Sequence, residues 1–202
     1  MPIPARILVA SSNQKKLAEL RTLFADLPTE VVGPEAALPD VVEDAETFVG
    51  NARKKALEIA AHTGMATIAD DSGLEVDALD GAPGVRSARF AEDAGRALEP
   101  SKDAANNALL LDELAGRADR SARFRCVLVL ALPDGSVLET TEGTVEGRIL
   151  EAPRGDGGFG YDPLFLPEGE TRTMAELTAA EKAALSHRGR AARAMRARLA
   201  AE

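Results

Sequence analysis

The sequence predicts an α/β protein, and three observations carry that prediction. Apolar strand-like runs alternate with helical stripes, the first strand runs straight into a helix, and a later pair of strands flanks an Asp-Gly turn. Arg6-Ile7-Leu8-Val9-Ala10 reads as a buried strand, and from Ser11 to Lys16 the chain turns into a helix whose stripe is Leu17, Leu20, Leu23 and Phe24. Pro34, Leu38-Pro39 and the acidic residues Asp40, Glu43, Asp44 and Glu46 make a loop, after which Thr47 caps a helix through His62 and Gly64 ends it. Ala66 to Ala69 is a second buried strand. It delivers Asp70-Asp71-Ser72-Gly73, where a strand break is expected, ahead of the alternating Leu74, Val76 and Ala78.

Gly81-Ala82-Pro83-Gly84 is a loop, and Ser101 caps a helix carrying Ala105, Leu109, Leu110 and Leu114. Ala122 to Leu132 and Val137 to Thr141 flank Pro133-Asp134-Gly135-Ser136 as an antiparallel hairpin, with Thr144 to Leu150 as a further strand. An irregular stretch from Glu151 to Asp162 leads to a short strand at Leu164 to Leu166 and two helices parted near Ser186-His187. No repeat, linker or shift in composition marks a boundary, so residues 1–202 read as a single domain.

Composition narrows the function. The chain has 202 residues, 45% of them hydrophobic, enough for a well-buried core. A formal charge of -9 repels nucleic-acid polymers, leaving small polyanions that a metal ion and local cations neutralise. Cys126 is the single cysteine and lies in an apolar run, which reads as a core thiol in a reducing compartment. No basic, apolar leader opens the sequence and no apolar stretch is long enough to span a bilayer, so a cytoplasmic protein without a membrane partner is expected. The arginines of the last helix, Arg190, Arg193, Arg196 and Arg198, read as a solvated face, with Arg188 set apart.

Four segments carry chemistry. Ser11, Ser12, Asn13, Gln14, Lys15 and Lys16 put hydroxyls, amides and ammonium groups at a helix N-terminus, where phosphate oxygens are favoured; without a glycine-rich loop, the same residues also read as a plain helix cap. Asp70-Asp71 on an extended chain sends its carboxylates to opposite sides, and one of them with Glu43 has the donor set for Mg²⁺; a simple turn after a strand is the other reading. Gly157-Gly158-Phe159-Gly160-Tyr161-Asp162-Pro163 offers an aromatic face, exposed backbone N–H groups and a carboxylate, the parts that read a base edge, though a structural turn with a core Phe uses the same residues. Lys182 and His187-Arg188 flank a helix break that aims them at one site, or else lie on the surface. Nothing has the arrangement of a covalent nucleophile, so hydrolysis by an activated water remains.

In their order these segments resemble the inosine triphosphate pyrophosphatase family. The match runs through Ser12-Asn13 with Lys16, Thr47-Phe48 to Lys55-Ala56, Ala69 to Leu74, Gly81 to Gly84 with Ser87-Ala88-Arg89, Gly157 to Pro163, and Ser186-His187-Arg188. The resemblance implies a long mixed twisted β-sheet flanked by helices, two lobes with the active-site cleft between them, and a homodimer. It implies hydrolysis of ITP, dITP and XTP to the monophosphate and pyrophosphate, with Asp71 as the base that activates water and Asp71 and Glu43 as Mg²⁺ ligands. Ser11 through Lys16 and Ser72 would hold phosphates and sugar, and Phe159, Gly160, Tyr161, Asp162, Lys182, His187 and Arg188 would surround the base and complete phosphate binding. Many relatives have Glu before the Asn-Ala pair where this chain has Gly50, so that duty would pass to Glu43, Glu46 or Asp70. A pyrophosphatase for modified pyrimidine nucleotides and a non-catalytic nucleotide-binding module are the other readings.

Overall fold

A computed structural model describes residues 3–11 and 13–201, with Lys15 described by its backbone alone. Strand β1 (Arg6–Val9) leads into α1 (Gln14–Leu23) and returns through β2 (Glu30–Val32). Helix α2 (Phe48–Thr63) follows the acidic loop, capped by the Thr47 hydroxyl on Gly50 N at one end and followed by Gly64 at the other. Next comes β3 (Thr67–Val76), two 3-10 turns at Asp77–Leu79 and Gly84–Arg89, the short α3 (Phe90–Asp93), and α4 (Lys102–Glu113) capped by Ser101. The chain closes with β4 (Ser121–Ala131), β5 (Val137–Ile149), β6 (Phe165–Pro167), α5 (Ala179–Leu185) and α6 (His187–Ala200).

The six strands form one mixed sheet in the order β2-β1-β3-β4-β5-β6. β1 pairs in parallel with β2 and β3, the product of two strand-helix-strand crossovers, whereas β5 pairs antiparallel with β6. Neighbours β4 and β5 are joined by the turn at Pro133 to Ser136, closed by Leu132 N on Ser136 O at 2.9 Å, as the Asp-Gly signal requires.

Two sequence expectations change. β3 does not break at the carboxylate pair but runs on to Val76, and the two strands expected between Val137 and Leu150 are the single strand β5. β3 continues because Asp70 finds cationic partners far along the chain, described below, so its charge does not force a turn into solvent.

The chain divides into two compact units: residues 1–71, 126–143 and 187–202 form the first, residues 72–125 and 144–186 the second. Each has its own core. In the first, the α1 stripe of Leu17, Leu20 and Phe24 packs with Ile7, Val9, Ile68, Leu128 and Met195. Cys126 is buried among them as a free thiol, pushed up to about 12 chiefly by burial, which makes it a poor nucleophile. In the second, Leu74, Leu110, Phe124, Tyr161, Leu164 and Phe165 pack together, with the Phe124 and Phe165 rings 4.5 Å apart. Replacing Thr47 with Ala removes the acceptor for Gly50 N and is expected to cost about 1 kcal/mol in urea denaturation, with the far-UV helix signal retained.

Candidate active site

Within the first unit, the extended backbone of β3 sends Asp70 and Asp71 to opposite faces. Asp70 takes the buried one. Its carboxylate accepts from Lys16 Nζ at 2.9 Å and from Arg188 Nη2 at 3.2 Å, and the Asp70 and Arg188 side chains are each 3% exposed. Arg188 Nη1 also reaches Glu19 at 3.3 Å. Burial on its own would raise the Asp70 pKa; the charges of Lys16, Arg188 and Lys55 outweigh it and hold the carboxyl far below the ordinary range. Arg188, which the sequence reading placed around the base, has its guanidinium engaged by Asp70 and Glu19.

Asp71, on the half-buried face, is oriented by an amide. Asn51 Nδ2 donates to Asp71 Oδ2 at 3.0 Å, and Asn51 Oδ1 accepts from Ala45 N at 2.8 Å, so one buried side chain fixes both the carboxylate and the acidic loop. One turn along α2, Lys55 Nζ donates to Glu43 Oε1 at 2.7 Å. Burial disfavours the Lys55 charge, but Asp70, Glu43 and Asp71 together raise its pKa, so all three carboxylates act on one ammonium. A pocket of about 450 Å³ opens beside them, lined by Ser11, Pro34, Asp40, Glu43 and Lys55.

Gly50 also belongs to this packing. A Cβ there would lie 2.6 Å from the Ala45 Cβ, closer than carbon atoms approach, so a glutamate at position 50 requires the acidic loop to shift.

At the start of α1, Ser11 Oγ accepts from Asn13 N at 3.1 Å and Asn13 Oδ1 accepts from Lys16 N at 3.3 Å, which is helix capping. Gln14 is exposed, and Ser12 and the Lys15 side chain lie outside the described residues. His187, the first residue of α6, is buried in the same unit.

The second unit holds the other cluster and starts at Ser72, which is half-buried. Asp162 Oδ2 accepts from Phe159 N at 2.8 Å and pairs with Lys182 Nζ, which sits 4.3 Å from the Phe159 ring centroid. Phe159 is 37% exposed, a large apolar residue at the surface. Gly158 is required here: its φ is +74°, and a Cβ would come within 2.1 Å of Asp162 Oδ2.

Two readings of this loop need correction. Tyr161 is not an exposed stacking surface; it is buried in the core with its hydroxyl donating to Ser87 O at 2.9 Å, and burial raises its phenol pKa. The loop's N–H groups are not a free row of donors either. Those of Phe159, Gly160 and Asp162 are taken by Asp162 Oδ2, Asp103 Oδ2 and Phe159 O respectively. Sequence reasoning assigned no role to Asn51, Lys55 or Asp103. The i, i+4 spacing of Asn51 and Lys55 on α2 was the available signal for the first two; Asp103 had none.

Comparison with other proteins places these residues in a family context. The sequence model of the Ham1 family matches residues 7–198. The chain is 50% identical to a dITP/XTP pyrophosphatase from Anaeromyxobacter sp. (strain Fw109-5) over 96% of both chains, and 50% identical to one from Streptomyces coelicolor over 94% of both. A HAM1 protein from Coxiella burnetii superimposes with a TM-score of 0.87 at 40% identity, covering 98% of this chain and 99% of its own.

The buried ion cluster makes a measurable demand on pH. Asp70→Asn leaves Lys16 and Arg188 facing a neutral amide and is expected to cost roughly 3–5 kcal/mol of stability at neutral pH. Because the native carboxyl is depressed below its ordinary 3.8, its contribution is complete above that value and declines as pH falls toward the native pKa. Urea midpoints at pH 7, 5 and 3.5 should show a constant gap between wild type and variant at the first two and a narrower one at the third. A gap that widens in acid contradicts the assignment.

Proposed function

The chain belongs to the Ham1 family, and from that premise we propose that it hydrolyses the deaminated purine nucleoside triphosphates ITP, dITP and XTP to the monophosphate and pyrophosphate. The observation that carries the reading is the first unit's cluster, an Asn51-held Asp71 whose neighbours Glu43, Lys55, Lys16 and Asp70 combine fixed carboxylates with ammonium donors. Such a set suits an anionic phosphate chain together with its counter-cation.

Glu43 and Asp71 supply hard oxygen donors, which fit Mg²⁺ better than a softer metal. When bound, Mg²⁺ would neutralise phosphate charge and make the leaving pyrophosphate a better leaving group. Asp71 draws the proton from a water as that water attacks the α-phosphorus; Asn51 keeps the carboxylate aimed while it does so. Lys16, held by Asp70, and Lys55, in the pocket wall, supply ammonium N–H groups to the phosphate oxygens. Asp70, locked between Lys16 and Arg188, stays ionised and fixes the position of Lys16. In the second unit the exposed face of Phe159 stacks on the purine, with Lys182 held against the ring by Asp162. Ser72 and His187 complete the sugar and phosphate contacts. The reading carries with it a homodimer working in the cytoplasm; the buried, unreactive thiol fits a reducing compartment, and among the described residues no helix is long and apolar enough to cross a membrane.

The test separates chemistry from recognition. Purified protein with Mg²⁺ is given ITP, XTP, ATP, GTP and dTTP, and pyrophosphate and orthophosphate are measured separately. Pyrophosphate from ITP and XTP is expected; orthophosphate would rule out attack at the α-phosphorus. Asp71→Asn should lower kcat by about 10²- to 10⁴-fold with KM little changed. Phe159→Ala should act mainly on KM, raising it about tenfold, the size of a lost base-aromatic stack.

A further inference from the structure

Among the holds on the Phe159 loop, the one at Gly160 comes from helix α4. Gly160 has no side chain, so its placement rests on its two main-chain polar groups, and both are taken by α4. Gly160 N donates to Asp103 Oδ2 at 2.7 Å, and Asn107 Nδ2 donates to Gly160 O at 3.0 Å. The two residues stand one helical turn apart, so they present an acceptor and a donor in register with the N–H and the C=O of one residue, which belong to the two peptide units on either side of it. Asn107 Oδ1 is buried without a hydrogen-bond partner, which leaves Gly160 O as the contact that orients this amide.

The clamp sits between two residues with opposite surroundings. Phe159 is on the surface beneath the Lys182 ammonium, and Tyr161 is anchored in the core by Ser87 O. α4 is itself tied to that anchor, since Asn106 accepts from Ala91 N at 2.8 Å and donates to Ser87 O at 3.3 Å.

We propose that Asp103 and Asn107 are positioning residues for base recognition, clamping Gly160 through the peptide units on both sides of it so that Phe159 and Asp162 meet the purine in a fixed pose. The inference rests on the purine reading given above. It also has a chemical corollary: Asp103 occupies the Gly160 N–H, so that donor does not read the 6-oxo group of the base, and α4 decides which loop donors a base can find.

Asp103→Ala should raise KM for ITP roughly tenfold, the worth of a charge-assisted hydrogen bond, with kcat within about twofold of wild type. The same variant should lower the ratio of kcat/KM for ITP over GTP. Asp103→Asn keeps an oxygen acceptor for Gly160 N and should restore KM to near wild type. Asp103 also lies in the first turn of α4, where its charge favours the helix, so Ser101→Ala serves as the control: it weakens the same helix end through the Ala104 N cap but should lower thermal stability without moving KM or the ITP/GTP ratio. Amide hydrogen exchange by NMR on the unliganded protein reads the clamp without any substrate, and Gly160 exchange should accelerate in Asp103→Ala and stay slow in Asp103→Asn. Unchanged KM and unchanged exchange in Asp103→Ala overturn the proposal, as does a KM shift of equal size in Ser101→Ala. If wild type releases no pyrophosphate from any purine triphosphate, the functional reading fails, and Gly160 exchange alone then decides whether the clamp exists.

Discussion

The first unit depends on one interaction, the burial of Asp70 between Lys16 and Arg188. A lone carboxylate with 3% of its side chain exposed would cost far more than a small domain can offset, so this position in β3 is tenable only because α1 and α6 bring cations to it. Three elements well apart in sequence are thereby set in register, and Lys16 is fixed at the N-terminal end of α1. The geometry around Asp71 inherits that rigidity, because Asp71 is the next residue on the same strand.

The two carboxylates divide the work by environment. Asp70 spends its charge on structure: its native pKa is driven so low that it does not titrate near neutrality. Asp71 is held by a neutral amide, which orients a carboxylate without tying it into an ion pair through that contact. An extended backbone makes such a division natural, since adjacent residues face different surroundings.

Much of the fold was legible because its signals are local. Thr47, Ser101 and Gly64 act within a turn of themselves, and the Asp-Gly hairpin needs no distant partner. The continuity of β3 was not legible: an Asp-Asp-Ser-Gly run reads as a turn until Arg188, 118 residues away, is known to neutralise it. The site divided the same way. Asp71, Glu43, Phe159 and Lys182 stood out by residue type, but Asn51 reaches Asp71 across 20 residues and Asp103 reaches Gly160 across 57, separations at which sequence carries no pairing information. Tyr161 misled for a related reason, since the three glycines just before it suggested an open loop, whereas the core is what claims the ring.

The chain crosses between its two units at residues 71, 125, 143 and 186, so neither unit is a continuous segment. That has a consequence for synthesis. Every residue of the second unit leaves the ribosome before α6 does, so its core can close early, while the first unit must wait for Arg188, Met195 and Leu199. Until then Asp70 lacks one of its two direct cationic partners, and the strand that bears it has reason to stay solvated. The ion cluster of the first unit therefore closes later than the second unit's core can, and the order of synthesis becomes an order of assembly.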